Sequence, residues 1–270
     1  MTRDGEQVLG QCRFSYPSAP GAFSRVEGGD LAAIRAQLYA PERVALRLHL
    51  LEHLMLPGLR AQTDSDFTLL LMMGDDLPGP VRDRVLRLIT DVPQIKPVFW
   101  PEGQPHREAV REVMLAHRDP DARLIAEFRL DDDDAIAVDF VAETRRLQQA
   151  MRGLFRRQRA VALDFNKGIA LHLGQGPARP EAVSARYWTP ALVLFLKPNN
   201  ARSLLDYPHM RLWRRLPTVT IPDQFMFIRG IHGDNDSNVG NTLHQADRID
   251  LPEDISGLLR DRFQVDLASL

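Results

Sequence analysis

Apolar residues recur along this chain in two rhythms that take turns. A short strand candidate lies around Cys12 to Tyr16, and Val44, Leu48, Leu51 and Met55 then repeat at the spacing of one helix face, with Pro57-Gly58 as the expected stop. The run 67–73 is continuously apolar between Asp64-Ser65-Asp66 and Gly74-Asp75-Asp76, the pattern of a strand covered on both faces. Val81, Val85, Leu88 and Ile89 return to helical spacing, and 95–100, between Pro93 and Pro101, reads as a short strand. One more cycle follows. It comprises a helix at 107–117, a buried strand at 124–130, and a helix with Val141, Leu147, Met151, Leu154 and Phe155 as its core stripe.

This alternation predicts right-handed crossovers and a mainly parallel sheet with helices on both faces. Beyond it, 160–165, 169–173, 188–196 and 218–231 are strand-like and joined by turn-rich stretches, so hairpins are expected to extend the sheet. Residues 201–216 suit one helix, with Pro208 expected to break or kink it. The expectation is one α/β domain over residues 1–270 with an antiparallel C-terminal extension. Its ligand site belongs at the carboxyl ends of the parallel strands, where loops converge at the switch in strand order.

Composition narrows the chemistry. A formal net charge of −2 gives no global pull toward nucleic acid or an anionic membrane, so any polyanion must be bound locally. Cys12 is the only cysteine, which excludes an intrachain disulfide and a multi-Cys zinc site and fits a reducing compartment. No stretch approaches the ~18 apolar residues of a membrane span, and the first residues are too polar for a secretory signal. A soluble cytoplasmic protein is expected, either free or peripheral to a membrane.

Four aspartates, Asp131-Asp132-Asp133-Asp134, follow the 124–130 strand and precede a helix, at the expected ligand edge. Helix capping would employ one or two of them. Four adjacent carboxylates repel one another, and a bound Mg²⁺ or Mn²⁺, hard cations that prefer oxygen ligands, relieves that repulsion. Such a cation would bridge two donor phosphates and neutralise charge on a diphosphate leaving group. Asp131 and Asp133 fit an Asp-x-Asp arrangement in which one carboxylate meets metal or ribose while the other ligates metal; Asp132 or Asp134 could trade roles. A second ligand-rich segment, 231–238, offers His232 to the metal shell and Asn235, Ser237 or Asn238 to phosphate or sugar hydroxyls. Its bland reading is a polar turn.

These pieces share an order. The strand with Arg13-Phe14-Ser15-Tyr16, the helix end Leu56-Pro57-Gly58-Leu59-Arg60-Ala61-Gln62-Thr63, the Asp66-Phe67 strand, Arg129-Leu130-Asp131-Asp132-Asp133-Asp134 and the late His232 resemble the putative rhamnosyltransferase group of GT-A-type glycosyltransferases. The resemblance covers most of the chain and implies a GT-A-like (Rossmann-like) fold, a nucleoside-diphosphate sugar donor, a hydroxyl acceptor such as a carbohydrate, a divalent metal at the Asp-x-Asp motif, and His232 as a further ligand. Arg13 and Asn235 are candidate donor contacts, and Asp75 is a candidate for the acid that touches the nucleobase in related enzymes. Rhamnose rests on the family name alone. The rivals are a sugar nucleotidyltransferase using the same aspartates, and a non-enzymatic carbohydrate-binding protein.

An inverting reaction needs a base beyond the acidic run. Asp206, ahead of Pro208, lies in the stretch that the resemblance implies; Asp223 is its rival, and His209 has a pKa suited to the task. Asp206 also reads as a turn or cap residue. Arg107, opening a helix, could pair with phosphate or simply solvate the helix. Arg145, Arg146, Arg152, Arg156, Arg157 and Arg159 read as a solvated helix face, although an anionic acceptor or lipid surface would suit them. Lys167-Gly168 and Gly174-Gln175-Gly176 read as turns, His49 and His53 as surface histidines, and Trp188 and Trp213 as core, with stacking on a sugar as the alternative.

Overall fold

A computed structural model describes residues 5–19, 30–155, 157–174, 176–235 and 246–270. The strands are β1 (Glu6–Arg13), β2 (Thr68–Gly74), β3 (Ile95–Trp100), β4 (Leu124–Arg129), β5 (Asp134–Ile136), β6 (Ala160–Phe165), β7 (Lys167–Gly174), β8 (Gly176–Ser184), β9 (Leu192–Leu196), β10 (Thr218–Ile221), β11 (Phe227–Ile231) and β12 (Asp247–Arg248). The helices are α1 (Leu31–Leu38), α2 (Pro41–Leu50), α3 (Leu56–Arg60), α4 (Gly79–Ile89), α5 (His106–Ala116), α6 (Phe140–Ala150), α7 (Arg152–Phe155) and α8 (Ile255–Phe263). None of the described helices is long and apolar enough to cross a membrane.

Seven strands form the main sheet in the order β10-β6-β9-β4-β1-β2-β3. Its pairings are parallel except those of β9, which runs antiparallel to both β4 and β6. The architecture is therefore the expected mixed α/β one. The later strands divide differently from expectation. β6, β9 and β10 extend the main sheet, whereas β12-β8-β7-β11-β5 form a second one. One contiguous apolar cluster, from Val8 and Leu69 through Phe128 and Phe140 to Ile169 and Phe227, packs residues of both sheets together.

Several local expectations are corrected. β1 starts at Glu6, well before Cys12, because Glu6 and Gln11 are buried polar residues inside the strand. Pro57 does not stop its helix. A π-helical turn at Leu51–Met55 leads into α3, where Pro57 occupies the first turn and needs no amide partner. Residues 201–216 form two 3-10 segments, Leu204–Asp206 and His209–Arg214, because Pro208 separates them. The 218–231 run splits into β10 and β11 around Pro222. The 188–196 segment begins as a 3-10 turn, Thr189–Ala191, and becomes a strand only at Leu192. Leu154 is exposed, since the helix breaks at Met151 and its apolar stripe loses phase. Trp213 is 58% exposed, while Trp188 is buried as expected. Lys167-Gly168 lies in β7, where a Cβ on Gly168 would stand 2.4 Å from the Phe227 ring. Gly174 and Gly176 flank the β7-β8 connection; Gln175 and Arg156 lie outside the described residues.

Two buried arginines join layers. Arg145, expected on a solvated face, is buried and reaches Asp64 at 3.1 Å and Asp66 at 3.0 Å. Arg118 meets Glu127 of β4 at 2.6 Å with both side chains almost wholly inaccessible. Burial pushes the Glu127 carboxyl up, and Arg118 opposes that shift. Removing one member of such a pair strands the other charge. Arg118→Met is expected to lower unfolding free energy by about 3–5 kcal/mol, read from urea denaturation with an unchanged m-value.

Candidate active site

The acidic run is the passage between the two sheets. β4 ends in the main sheet at Arg129, the chain turns through Asp131, and β5 begins at Asp134 in the second sheet, antiparallel to β11. Close approach makes this turn tight. The Gly230 amide donates to the Asp133 carbonyl and to Asp134 Oδ1, each at 3.1 Å, and a Cβ there would lie 2.1 Å from the Asp133 oxygen. Only glycine admits this contact.

Asp131, Asp133 and Asp134 each present a carboxylate oxygen, and these atoms lie within 4.8 Å of one another. Asp132, Asp133 and Asp134 are buried, which is costly for carboxylates without compensation. Arg47, on α2, supplies it for two of them. Its Nη1 lies 2.8 Å from Asp132 Oδ1 and 2.6 Å from Asp133 Oδ2. Burial pushes the Asp133 carboxyl up, but Arg47 and the His232 hydrogen bond outweigh it and hold the group below the usual range. Asp134 goes the other way: burial, then the Asp133 charge, push it well up. Asp131 is partly exposed and held by both arms of Arg129, at 2.9 and 2.7 Å. The thiol of Cys12, buried nearby, is pushed up by burial and by Asp132, so it is no nucleophile.

His232 is brought to the run from the end of β11. Its Nε2 lies 2.9 Å from Asp133 Oδ2, while Nδ1 accepts the Asp234 amide at 3.1 Å, an arrangement that puts the ring proton on Nε2. Asn235 donates to Asp133 Oδ2 at 2.9 Å and to the Gly230 carbonyl, and its own oxygen accepts the His232 amide at 2.6 Å. Both residues thus brace Asp133. Ser237 and Asn238 lie outside the described residues.

His209 lies within electrostatic reach of this region. Burial pushes its imidazole below the ordinary range, and Arg129, Arg229 and Asp131 all act on it. Its Nδ1 donates to the Tyr187 carbonyl at 2.8 Å, which leaves Nε2 as the acceptor nitrogen of a neutral ring. Tyr187 is held at φ 63°, a left-handed conformation that L side chains rarely adopt. The Asp164 carboxylate fixes it by accepting the Tyr187 amide at 2.9 Å.

Arg13 and Asp75 stand at the carboxyl ends of β1 and β2, the same sheet edge as the acidic run. Asp206 caps its 3-10 turn, with Oδ2 accepting the Ser203 amide at 2.9 Å and Oδ1 meeting Arg111 at 3.1 Å, so both oxygens are occupied. Asp223 is exposed beyond β10, close enough to Arg146 to act on its charge. Arg107 is exposed on the first turn of α5. Arg13 ends β1 with Nη1 3.3 Å from His106 Nδ1, and burial, then Arg13, push that imidazole down to about 2. Asp75 is exposed at the end of β2, where Oδ1 accepts the Glu102 amide at 3.2 Å. Arg47, Arg129, Arg229, Asp164 and Tyr187 were not expected at the site. A usable signal existed for Arg47: it is a lone charge inside an apolar pattern, and a buried charge requires a partner.

The sequence profile described as putative rhamnosyl transferase matches residues 7–242. The chain belongs to the putative rhamnosyl transferase family. No curated protein matches it. Among solved structures, family membership aside, it is similar to S. aureus TarS 1–349, at 10% identity and a TM-score of 0.44 over 83% of this chain and 60% of that one. The same protein in complex with UDP-GlcNAc gives 9% identity, a TM-score of 0.44, and 94% and 64% coverage. A putative glucose-1-phosphate thymidylyltransferase from Bacillus anthracis gives 8% identity, a TM-score of 0.39, and 88% and 92% coverage. This member of the family therefore spans about 60% of the length of the TarS chain.

Asp164 provides a test of the electrostatics. It is fully buried, and burial pushes its carboxyl from 3.8 to about 6. Between these values the folded protein holds a proton that the unfolded chain has released, so this group's contribution to stability falls as pH rises through the window. Asp164→Asn is expected to remove that fall, worth about 2 kcal/mol, when unfolding free energies at pH 4 and pH 7 are compared with those of the unsubstituted protein.

Proposed function

We propose that this chain transfers a sugar from a nucleoside-diphosphate donor to a hydroxyl acceptor, with a divalent cation held by Asp131, Asp133 and Asp134. The observation that carries the reading is the convergence of three carboxylates from one turn at the carboxyl edge of a mainly parallel sheet, in a member of this family. The donor set fits Mg²⁺ or Mn²⁺. It is all oxygen, and burial and then the charge of Asp133 push Asp134 up, the second a repulsion that a dication relieves. When bound, the cation supplies charge neutralisation for the departing diphosphate.

The chain's own residues do the remaining work. Arg129 aims Asp131, Arg47 fixes Asp132 and Asp133, and His232 and Asn235 brace Asp133 from behind. His209 is the base: its Nε2 is the free acceptor, and it takes the acceptor hydroxyl's proton as the new bond forms. Asp164 and Tyr187 position it by fixing the carbonyl that holds Nδ1–H. Asp206 is less suited, since an ion pair and a cap already engage its carboxylate. Rhamnose, supplied by the family description, is the sugar to try first, and the cytoplasm, where nucleotide sugars are at hand, is the expected location.

Two measurements test this. Asp133→Asn is expected to abolish the Mn²⁺-dependent rise in melting temperature that a nucleoside diphosphate produces, while the metal-free melting temperature stays within a few degrees; an intact metal-dependent rise refutes the cation site. His209→Gln is expected to cut transfer by about two to four orders of magnitude in kcat, with donor affinity unchanged. Wild-type kcat in that variant returns the base to Asp206 or Asp223, and pyrophosphate release from a nucleoside triphosphate would make the chain a nucleotidyltransferase.

A further inference from the structure

At the opposite edge of the main sheet lies an open groove of 1190 Å³. β6 starts at Ala160 opposite Leu196, the last residue of β9, so the segments before 160 and after 196 meet at the amino ends of the parallel strands. Pro217, just ahead of β10, completes the floor. At about 3.3 Å per strand residue, this edge is about 20 Å from the acidic run. The groove is therefore separate from the site described above, and it does not depend on the function proposed there.

Its lining is one-signed. Arg157, Arg159, Lys197, Arg202 and Arg215 contribute five cations, and among the described residues no carboxylate joins them. Arg157, Arg159, Lys197 and Arg215 form no ion pair among the described residues, although the chain as a whole carries a net charge of −2. The side chain of Arg202 lies over the buried Tyr207 ring, 5.8 Å from its centroid, which fixes it at the wall. The wall itself is braced from inside. The buried Arg118 guanidinium donates to the carbonyls of Pro198 at 3.4 Å, Asn200, and Arg202 at 2.7 Å, with Glu127 balancing its charge. Buried groups thus hold the 198–202 loop in the shape that gathers the cations.

Five like charges around one groove repel, and a multiply charged anion offsets that repulsion. Guanidinium forks match the oxygens of phosphate, and Asn199 and Asn200 add neutral donors at the same wall. We propose that this groove binds a phosphate-bearing ligand, a diphosphate or a phosphorylated headgroup, at a site distinct from the acidic run.

The test uses the full chain in EDTA, so that the metal-free acidic run repels anions. Pyrophosphate titrated calorimetrically at low salt is expected to bind, and to weaken steeply as ionic strength rises. Arg159→Glu with Arg215→Glu should weaken it by about tenfold or more, given the worth of charge-assisted hydrogen bonds. The neutral pair Arg159→Gln with Arg215→Gln should give an intermediate loss, and Asp133→Asn none. Co-sedimentation with vesicles containing phosphatidylglycerol separates the sources of phosphate. Retention that the charge-reversed variant loses assigns a lipid headgroup; pyrophosphate binding without retention assigns a soluble ligand. Neither pyrophosphate binding nor retention, or binding that both groove variants leave unchanged, overturns the proposal.

Discussion

Arg47 is the interaction on which the site depends. Three successive aspartates are buried where two sheets meet, and a low-dielectric junction cannot hold them as bare charges. One guanidinium nitrogen on α2, Nη1 of Arg47, touches two of them. α2 thereby becomes part of the site without offering any group to chemistry. The π-helical turn that follows keeps the chain helical into α3, so Arg47 and the core contacts of Leu51, Leu54 and Met55 come from one continuous rod. The side chain that neutralises the site is anchored by the same apolar face that packs the fold.

Much of the architecture was legible because burial on both faces leaves a strong mark on sequence. The 67–73 and 124–130 runs read as covered strands, and the aspartates that follow the second as a strand's end. What stayed illegible depends on partners distant in sequence. The cap at Asp206 was legible from Ser203 three residues before it, but the ion pair that occupies its other oxygen comes from the remote Arg111. The role of Asp164 likewise depends on Tyr187, whose left-handed backbone no local pattern announces. On a helix rich in arginine Arg145 looks like its neighbours, and only Asp64 and Asp66 from another segment distinguish it.

The two sheets also divide labour. The main sheet contributes carboxyl-end loops, as parallel sheets do. The second sheet contributes β11, whose glycine lets its backbone touch the Asp133 carbonyl and whose continuation delivers His232 and Asn235. An acidic turn spanning both sheets is clamped from each side. It therefore has less freedom to rearrange than a loop rooted in one sheet, and a preorganised ligand set loses less entropy on binding.

The place of β9 carries a consequence for biosynthesis. Its residues, Leu192–Leu196, insert between β4 and β6, both of which leave the ribosome earlier. Until they arrive, β4 is an unpaired edge rich in apolar side chains, the kind of edge that recruits strands from other chains. The nascent protein can assemble β1 to β4 early, yet it must keep that flank open for more than sixty further residues. Chains terminated before β9 should therefore be the aggregation-prone species, and chaperone occupancy during synthesis should concentrate on that interval.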